Sequence, residues 1–257
     1  PFLVGYTASI YNLESFSDWR FWVLLFYFLI PANILLYGVN DIADQDTDAF
    51  NTKKNNKEGK LVDYQKLAVY IALAVSGLFS VGVFFVLPVE VRTLFILFIV
   101  LSLGYSLPPI RLKAKPFLDF LSNVLYVLPG FIGFMIHQDV SPNMWVYLAS
   151  AFWAFAMHLF SAIPDIEPDK KAGLLTTAVF LGHQKSLVLT LFLWTASFVF
   201  IAYSGVLGNF LYIYLIYPIL PFLLLTRKNI DIGRVYWAYP FINGILGFLL
   251  FLVAWFS

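Results

Sequence analysis

Cysteine is missing altogether from these 257 residues, and charge is scarce, with only 12% of positions carrying Asp, Glu, Lys or Arg. The first absence excludes disulfides, thiolate metal ligands and a cysteine nucleophile, and it leaves the redox compartment unread. The second excludes an ordinary soluble domain, in which about a quarter of the residues are charged. No gap between the apolar runs is long enough for a separate soluble domain, and no pattern of basic residues points to nucleic acid. An initiating Met is also missing. The chain opens at Pro1, already inside an apolar run, so the expectation is that a short N-terminal piece precedes it.

What is present is hydrocarbon. Hydrophobic residues make up 61% of the chain and aromatic ones 19%, with 28 Phe, and the mean hydropathy is +0.81. A membrane-crossing helix needs about 20 apolar residues, and runs of that length predict nine spans at 1–13, 20–40, 64–87, 92–107, 117–137, 142–163, 186–205, 209–226 and 234–256. A barrel would alternate polar and apolar residues in short strands, whereas these runs are continuously apolar. The expected fold is therefore all-α: a polytopic membrane protein of nine transmembrane helices around a central cavity, forming one domain over residues 1–257. Pro31, Pro129, Pro218, Pro221 and Pro240 interrupt spans internally and would open space between kinked helices.

Basic residues flanking short loops mark the cytoplasmic side. Lys53, Lys54, Lys57, Lys60 and Lys66 follow the second span, Arg111, Lys113 and Lys115 the fourth, Lys170, Lys171 and Lys185 the sixth, and Arg227, Lys228 and Arg234 the eighth. Only Arg20 and Arg92 fall on the opposite side. The bias makes the protein an integral multi-pass one whose acid-bearing face is cytoplasmic.

That face carries the chemistry. Residues 40–48 read Asn-Asp-Ile-Ala-Asp-Gln-Asp-Thr-Asp, and a second acidic pair, Asp165 and Asp169, follows another apolar run. Carboxylates this close repel one another and are costly beside hydrocarbon unless cations neutralise them, and an all-oxygen set suits magnesium. On a continuous helix Asp41, Asp44 and Asp48 share one face at i, i+3 and i+7. Asn40 adds a neutral oxygen, Asn33 lies seven residues before it, and Asp46 points elsewhere. Asp165 and Asp169 share a face at i and i+4, although Pro164 and Pro168 also fit a helix start or an irregular turn. The competing reading is a charged, solvated loop; two clusters on the same side of the membrane weigh against it.

Between the fourth and fifth spans, Tyr105 to Pro116 joins a rigid Pro108-Pro109 turn to Arg111, Lys113 and Lys115. An arginine fork and lysine point charges suit a diphosphate, with Tyr105 beside them and Lys170, Lys171 and Lys53 as further cations; the alternative is charge that only sets topology. Asn33, His158 (seven residues before Asp165) and the pair Asp119 and Asn123 are cavity-lining candidates, with an interhelical hydrogen bond as the plainer role of the last three. His137 and His183 lie nearer span ends and attract no role.

These motifs resemble the UbiA superfamily of intramembrane prenyltransferases. Its first motif, NDxxDxxxD, is matched by Asn40, Asp41, Asp44 and Asp48. Its second, commonly DxxDxxxD, is kept in part: Asp165 and Asp169 hold the last two acidic positions and Ala162 stands at the first. The Tyr-Ser-x-Pro-Pro-x-Arg-x-Lys turn at 105–113 belongs to the same likeness. His158 through Asp169, followed by Gly173 and Thr176-Thr177-Ala178, is most similar to the lycopene elongase branch. The resemblance implies two Mg2+ ions held by Asn40, Asp41, Asp44, Asp48, Asp165 and Asp169, with the same carboxylates catalytic. It implies a diphosphate bound by Asn40, Tyr105, Arg111, Lys113, Lys115 and Lys170. It also implies an allylic donor such as dimethylallyl diphosphate, and a lipophilic acceptor, lycopene or a related linear carotenoid, entering from the membrane lipids. An aromatic acceptor, as in quinone-type synthesis, is the alternative within this class. A secondary transporter is the alternative outside it, since polar groups in a kinked bundle serve transport as well.

Overall fold

The computed structural model describes residues 1–10, 13–44, 63–137, 141–227 and 229–256. Every regular element among them is helical. After a short α1, Phe2–Thr7, eight helices are long and apolar enough to cross a bilayer: α2 Trp19–Ala43, α3 Lys66–Val86, α4 Val89–Ser106, α5 Leu118–Met135, α6 Met144–Lys171, α7 Thr177–Ser204, α8 Gly208–Thr226 and α9 Ile232–Phe256. Eight such helices among the described residues compare with the nine spans expected; of the first expected span, 1–13, the six residues of α1 are helical. The largest boundary difference is in α7, expected from 186. Gly182, His183, Gln184 and Lys185 read as a loop, yet the helix continues to Thr177 through a break at Gly182, which sits at φ +75°. Large apolar side chains such as Leu78, Phe85 and Phe241 are about 70% exposed, as lipid-facing residues of an integral multi-pass protein are.

Contacts divide the chain into two compact units. The first comprises Pro1–Leu112, Leu128–Ser141 and Leu249–Ser257, the second Lys113–Val127 and Pro142–Phe248.

In the first unit, α1 lies against residues 128–135, and the approach is close enough that Gly5, Gly130 and Gly133 sit backbone to backbone with it. Close glycine-mediated contact is the usual means of helix association in lipid, where apolar surface gains nothing from burial. Phe2, Tyr6, Phe21 and Phe28 interleave beside it, with ring centroids 4.5–6.0 Å apart. Tyr27 hydrogen-bonds Ser80 at 3.0 Å across α2 and α3. In the second unit Phe160 (α6), Trp194 (α7), Tyr217 (α8) and Tyr239 (α9) stack as one aromatic core. Ser197 ties α7 to the Ala149 carbonyl at 2.6 Å.

Helix α2 is not one continuous α-helix. Asp18 caps its start by accepting from the Arg20 amide at 2.9 Å. At Ile30, before Pro31, the backbone leaves helical geometry (φ −123°, ψ −70°), as expected ahead of proline. A π-turn then runs over Ile34–Gly38 before α-geometry resumes at Val39–Ala43. This corrects the expectation of an unbroken register from Asn33 to Asn40, because a π-turn rotates everything beyond it. Asn33 is exposed, and its amide donates to the Phe28 and Leu29 carbonyls at 2.9 and 3.0 Å, serving the irregular backbone that Pro31 creates.

At the other end of the first unit lies a polar knot. Arg20 Nη2 is 2.6 Å from Asp18 Oδ2, and His137 Nε2 is 3.4 Å from the same oxygen. The Tyr6 hydroxyl donates to the Ser15 carbonyl, so it can accept from His137 Nε2–H at 2.9 Å. Burial favours neutral His137 and, with Arg20 opposing the pull of Asp18, lowers its pKa. Burial alone would raise the Asp18 carboxyl, but the hydrogen bonds and charge of Arg20 outweigh it and hold Asp18 below its ordinary value. Both shifts have the same sign. Stability linked to His137 is fully present above about pH 6.5 and is lost as pH falls from there through the lower folded value, while that linked to Asp18 is lost only below about pH 4. The thermal midpoint in detergent should therefore fall between pH 7 and pH 5, and His137→Gln should flatten that part of the curve alone. An unchanged slope in the variant would contradict this reading.

Candidate functional site

The first acidic motif sits where α2 ends. Asp41 belongs to the last helical turn and Asp44 caps it, the Asp44 amide donating to the Asn40 carbonyl at 3.0 Å. The helical spacing therefore holds from 41 to 44, and Asp44 is buried at 7% exposure. Asp48 lies outside the described residues, as do Asp46 and Lys53.

Two contacts join this motif to the segment after α4. The Ser106 hydroxyl donates to Asn40 Oδ1 at 2.7 Å, which fixes the amide's orientation. Arg111 Nη2 donates to Asp44 Oδ1 at 3.3 Å. Tyr105 is half-buried one residue before Ser106. Pro108-Pro109 is a cis peptide, and Arg111 itself adopts φ +38°, a region unfavourable for a residue with a side chain. Strain of this kind costs about 1–3 kcal/mol and persists where the surroundings over-determine it. The Arg111 amide is held by the Leu107 carbonyl at 2.8 Å. Its Nε is buried and has no acceptor among the described residues, so the guanidinium keeps an unused donor beside the one spent on Asp44.

In the second unit, Lys113 is buried in a 3₁₀ turn, Leu112–Ala114, and Lys115 is exposed. Asp165 ends a 3₁₀ turn, Ile163–Asp165, and Asp169 lies in the helical turn Ile166–Lys171; the irregular-turn alternative and the helix alternative each hold for part of the segment. Thr176 Oγ1 is 3.4 Å from Asp169 Oδ2. Lys170 points outward and pairs with Glu167 at 3.2 Å. His158 is half-buried in α6, with its carbonyl accepting from Ser161 at 2.7 Å. For Asp119 and Asn123 the structure shows hydrogen bonding: Asp119 is fully buried against Thr177, and Asn123 Nδ2 donates to the Asp119 carbonyl at 2.7 Å.

Among the described residues no three His, Asp or Glu side chains gather closely enough to hold a metal ion. The donor set nevertheless suits a hard divalent cation: each candidate ligand is a carboxylate or amide oxygen, the ligand type that Mg2+ prefers. Sequence reasoning gave no role to Ser106, Thr176 or Thr177. All three stood in the quoted motifs, but hydroxyl partners are set by tertiary neighbours that no local spacing reveals.

The sequence model of the UbiA prenyltransferase family matches residues 1–234. A lycopene elongase/hydratase of Haloarcula japonica is 42% identical over 233 residues, which is 90% of this chain and 77% of that protein. A protein of the same description from Halobacterium salinarum is 39% identical over 247 residues, covering 96% and 88%. Among solved structures, a UbiA homolog from Archaeoglobus fulgidus bound to GPP and Mg2+ superposes with a TM-score of 0.73 at 19% identity, over 99% of this chain and 92% of that one.

Proposed function

Because the chain belongs to the UbiA prenyltransferase family, we propose that it transfers an allylic prenyl group, dimethylallyl in the first instance, from its diphosphate to lycopene or a related linear carotenoid drawn from the membrane. The whole chain would act as one prenyltransferase domain, with its acidic motifs on the cytoplasmic side. That side follows from the basic-residue bias. The two exceptions are tied down: Arg20 pairs with Asp18, and Arg92 bonds the Leu87 carbonyl at 3.0 Å and covers the Phe84 ring.

The observation that carries the proposal is the pairing of Asp44 with Arg111 and of Asn40 with Ser106. It joins a carboxylate motif to a basic turn whose arginine retains a buried, unused donor. Asn40, Asp41, Asp44 and Asp48 of the first motif, and Asp165 and Asp169 of the second, are the oxygen donors for divalent ions, two of them in our reading. When bound, such ions neutralise the diphosphate and stabilise charge on the departing group. Arg111 directs its free Nε–H to a phosphate oxygen, while Lys113 and Lys115 add positive charge as the leaving group gains negative charge. The allylic C1–O bond breaks, and its electron pair leaves with pyrophosphate. The π electrons of the acceptor alkene form the new carbon–carbon bond, and the cation left on the acceptor either loses a proton or adds water and then loses a proton, the released pyrophosphate or water taking that proton. No side-chain nucleophile is needed. The apolar, aromatic-rich interior keeps water from the allylic cation until attack.

The Haloarcula japonica relative supports the acceptor, and the archaeal structure bound to GPP and Mg2+ supports the donor class. Expression in cells that accumulate lycopene tests both: the pigments should gain the mass of whole isoprene units, with or without one water for each unit added. Unchanged carotenoids together with prenylation of an added aromatic acid would move the acceptor to the quinone-type class.

A further inference from the structure

Helix α5 begins at Leu118 and helix α7 at Thr177, and one carboxylate fastens the two beginnings together. Asp119 is fully buried. Its Oδ2 accepts from the Thr177 amide at 2.7 Å, and its Oδ1 accepts from the Thr177 hydroxyl. The Thr177 oxygen in turn accepts from the Phe117 amide. Phe117 holds φ +68°, a conformation that an aromatic residue enters only under constraint, and its ring lies edge-on to Phe180 of α7, 5.9 Å between centroids.

Each end of this clasp leads to charge. Lys113 and Lys115 lie just before Phe117 in the chain. On the other side Thr176 caps α7 by accepting from the Val179 amide at 3.3 Å, and its hydroxyl is aimed at Asp169 Oδ2 at 3.4 Å. The lysine turn and the second acidic motif therefore hang from a single point.

We propose that Asp119 and Thr177 are positioning residues for the diphosphate site: they touch no substrate, and they fix Lys113 and Lys115 in register with Asp165 and Asp169. This rests on the prenyl diphosphate reading above. The chemistry of the pair is demanding. Asp119 Oδ2 must accept, because the Thr177 amide can only donate, and Oδ1 is matched to the Thr177 hydroxyl. An asparagine that keeps its oxygen on the Thr177 amide turns its NH2 group toward the Thr177 oxygen, so the Thr177 hydroxyl hydrogen loses its acceptor on residue 119 and the pairing must rearrange.

The test compares Asp119→Asn, Thr177→Val and Thr177→Ser with Ser197→Ala as control. Ser197 is equally buried in α7 and bonds Ala149 and Tyr214, away from the clasp. Two quantities are read on purified protein: affinity for inorganic pyrophosphate with Mg2+, and KM for an allylic diphosphate against KM for the acceptor. Asp119→Asn and Thr177→Val should weaken pyrophosphate binding and raise donor KM about tenfold, leaving acceptor KM unchanged. Thr177→Ser, which keeps the hydroxyl, should stay within about twofold of the parent. Ser197→Ala should lower the thermal midpoint without altering pyrophosphate affinity. If Thr177→Val behaves like Ser197→Ala, or if the parent binds no pyrophosphate, the proposal is overturned. If pyrophosphate binding responds as expected but no prenyl transfer occurs in the parent, the clasp stands and the prenyltransfer reading fails.

Discussion

Replacing Asp44 by alanine is expected to lower turnover of the allylic diphosphate by at least about 100-fold, with helical content unchanged. Loss of groups that merely orient metal ligands costs about 10–100-fold, and loss of one preorganised donor to a developing anion about 100–1,000-fold. Asp44 is itself a proposed metal ligand and accepts from Arg111 at 3.3 Å, so its loss removes a ligand and the partner of the arginine that would serve as that donor. Because it is buried at 7% exposure, no water-exposed neighbour can take over its charge. Removal also releases the Arg111 guanidinium, which is then free to move off its strained turn. Asp41→Ala, one helical step away, should lose activity to a similar degree. Turnover within threefold of the parent in both variants would remove the first motif from the mechanism.

The second large effect concerns folding. A Cβ on Gly5 would stand 1.8 Å from the Gly130 carbonyl oxygen, and one on Gly133 would stand 2.5 Å from the Phe2 carbonyl oxygen. Both obstacles are backbone, which cannot turn aside as a side chain can, so α1 must lift away from residues 128–135. Overpacking costs about 1–3 kcal/mol and more when backbone must move. Lifting α1 also withdraws Tyr6 from Ser15 and His137. Gly5→Ala should destabilise by about 3 kcal/mol, a drop of about 6–12 °C in the thermal midpoint for a chain of this size. Gly82→Ala is the matched control: nothing lies within 4 Å of its Cβ position, and alanine is the better helix former, so its midpoint should hold or rise. Equal midpoints for the two variants would mean that the α1 contact carries no stability.

Much of the fold was legible in the sequence because hydropathy sums over about 20 residues per span, and a sum that long survives local irregularity. The eight long helices emerge within a few residues of the expected spans, apart from the end of α6, which runs to Lys171 rather than 163, and the start of α7, where four residues with polar or flexible character outweighed the helix that continues beyond them. The π-turn at Ile34–Gly38 was not legible. It packs against α3, where Leu73 approaches Gly38 so closely that a Cβ there would lie 3.2 Å from its Cδ2, and no pattern inside residues 34–38 announces that neighbour. The same holds at the site. The spacing of Asn40, Asp41 and Asp44, and the charge of Arg111, are written locally. The bond from Ser106 to Asn40, and the engagement of Asp119 by Thr177, span about 60 residues of chain and arise only once the helices have packed.

Each acidic motif is proposed to bind divalent ions, and the rest of the mechanism depends on that binding. Mn2+ titrated into the purified protein with a non-hydrolysable allylic diphosphate analogue, followed by electron paramagnetic resonance, reads this directly. Two bound ions are expected in the parent, with weakened binding in Asp44→Ala and weakened binding again in a combined Asp165→Ala, Asp169→Ala variant. Mn2+ binding that is absent from the parent, or unchanged in both variants, would contradict it.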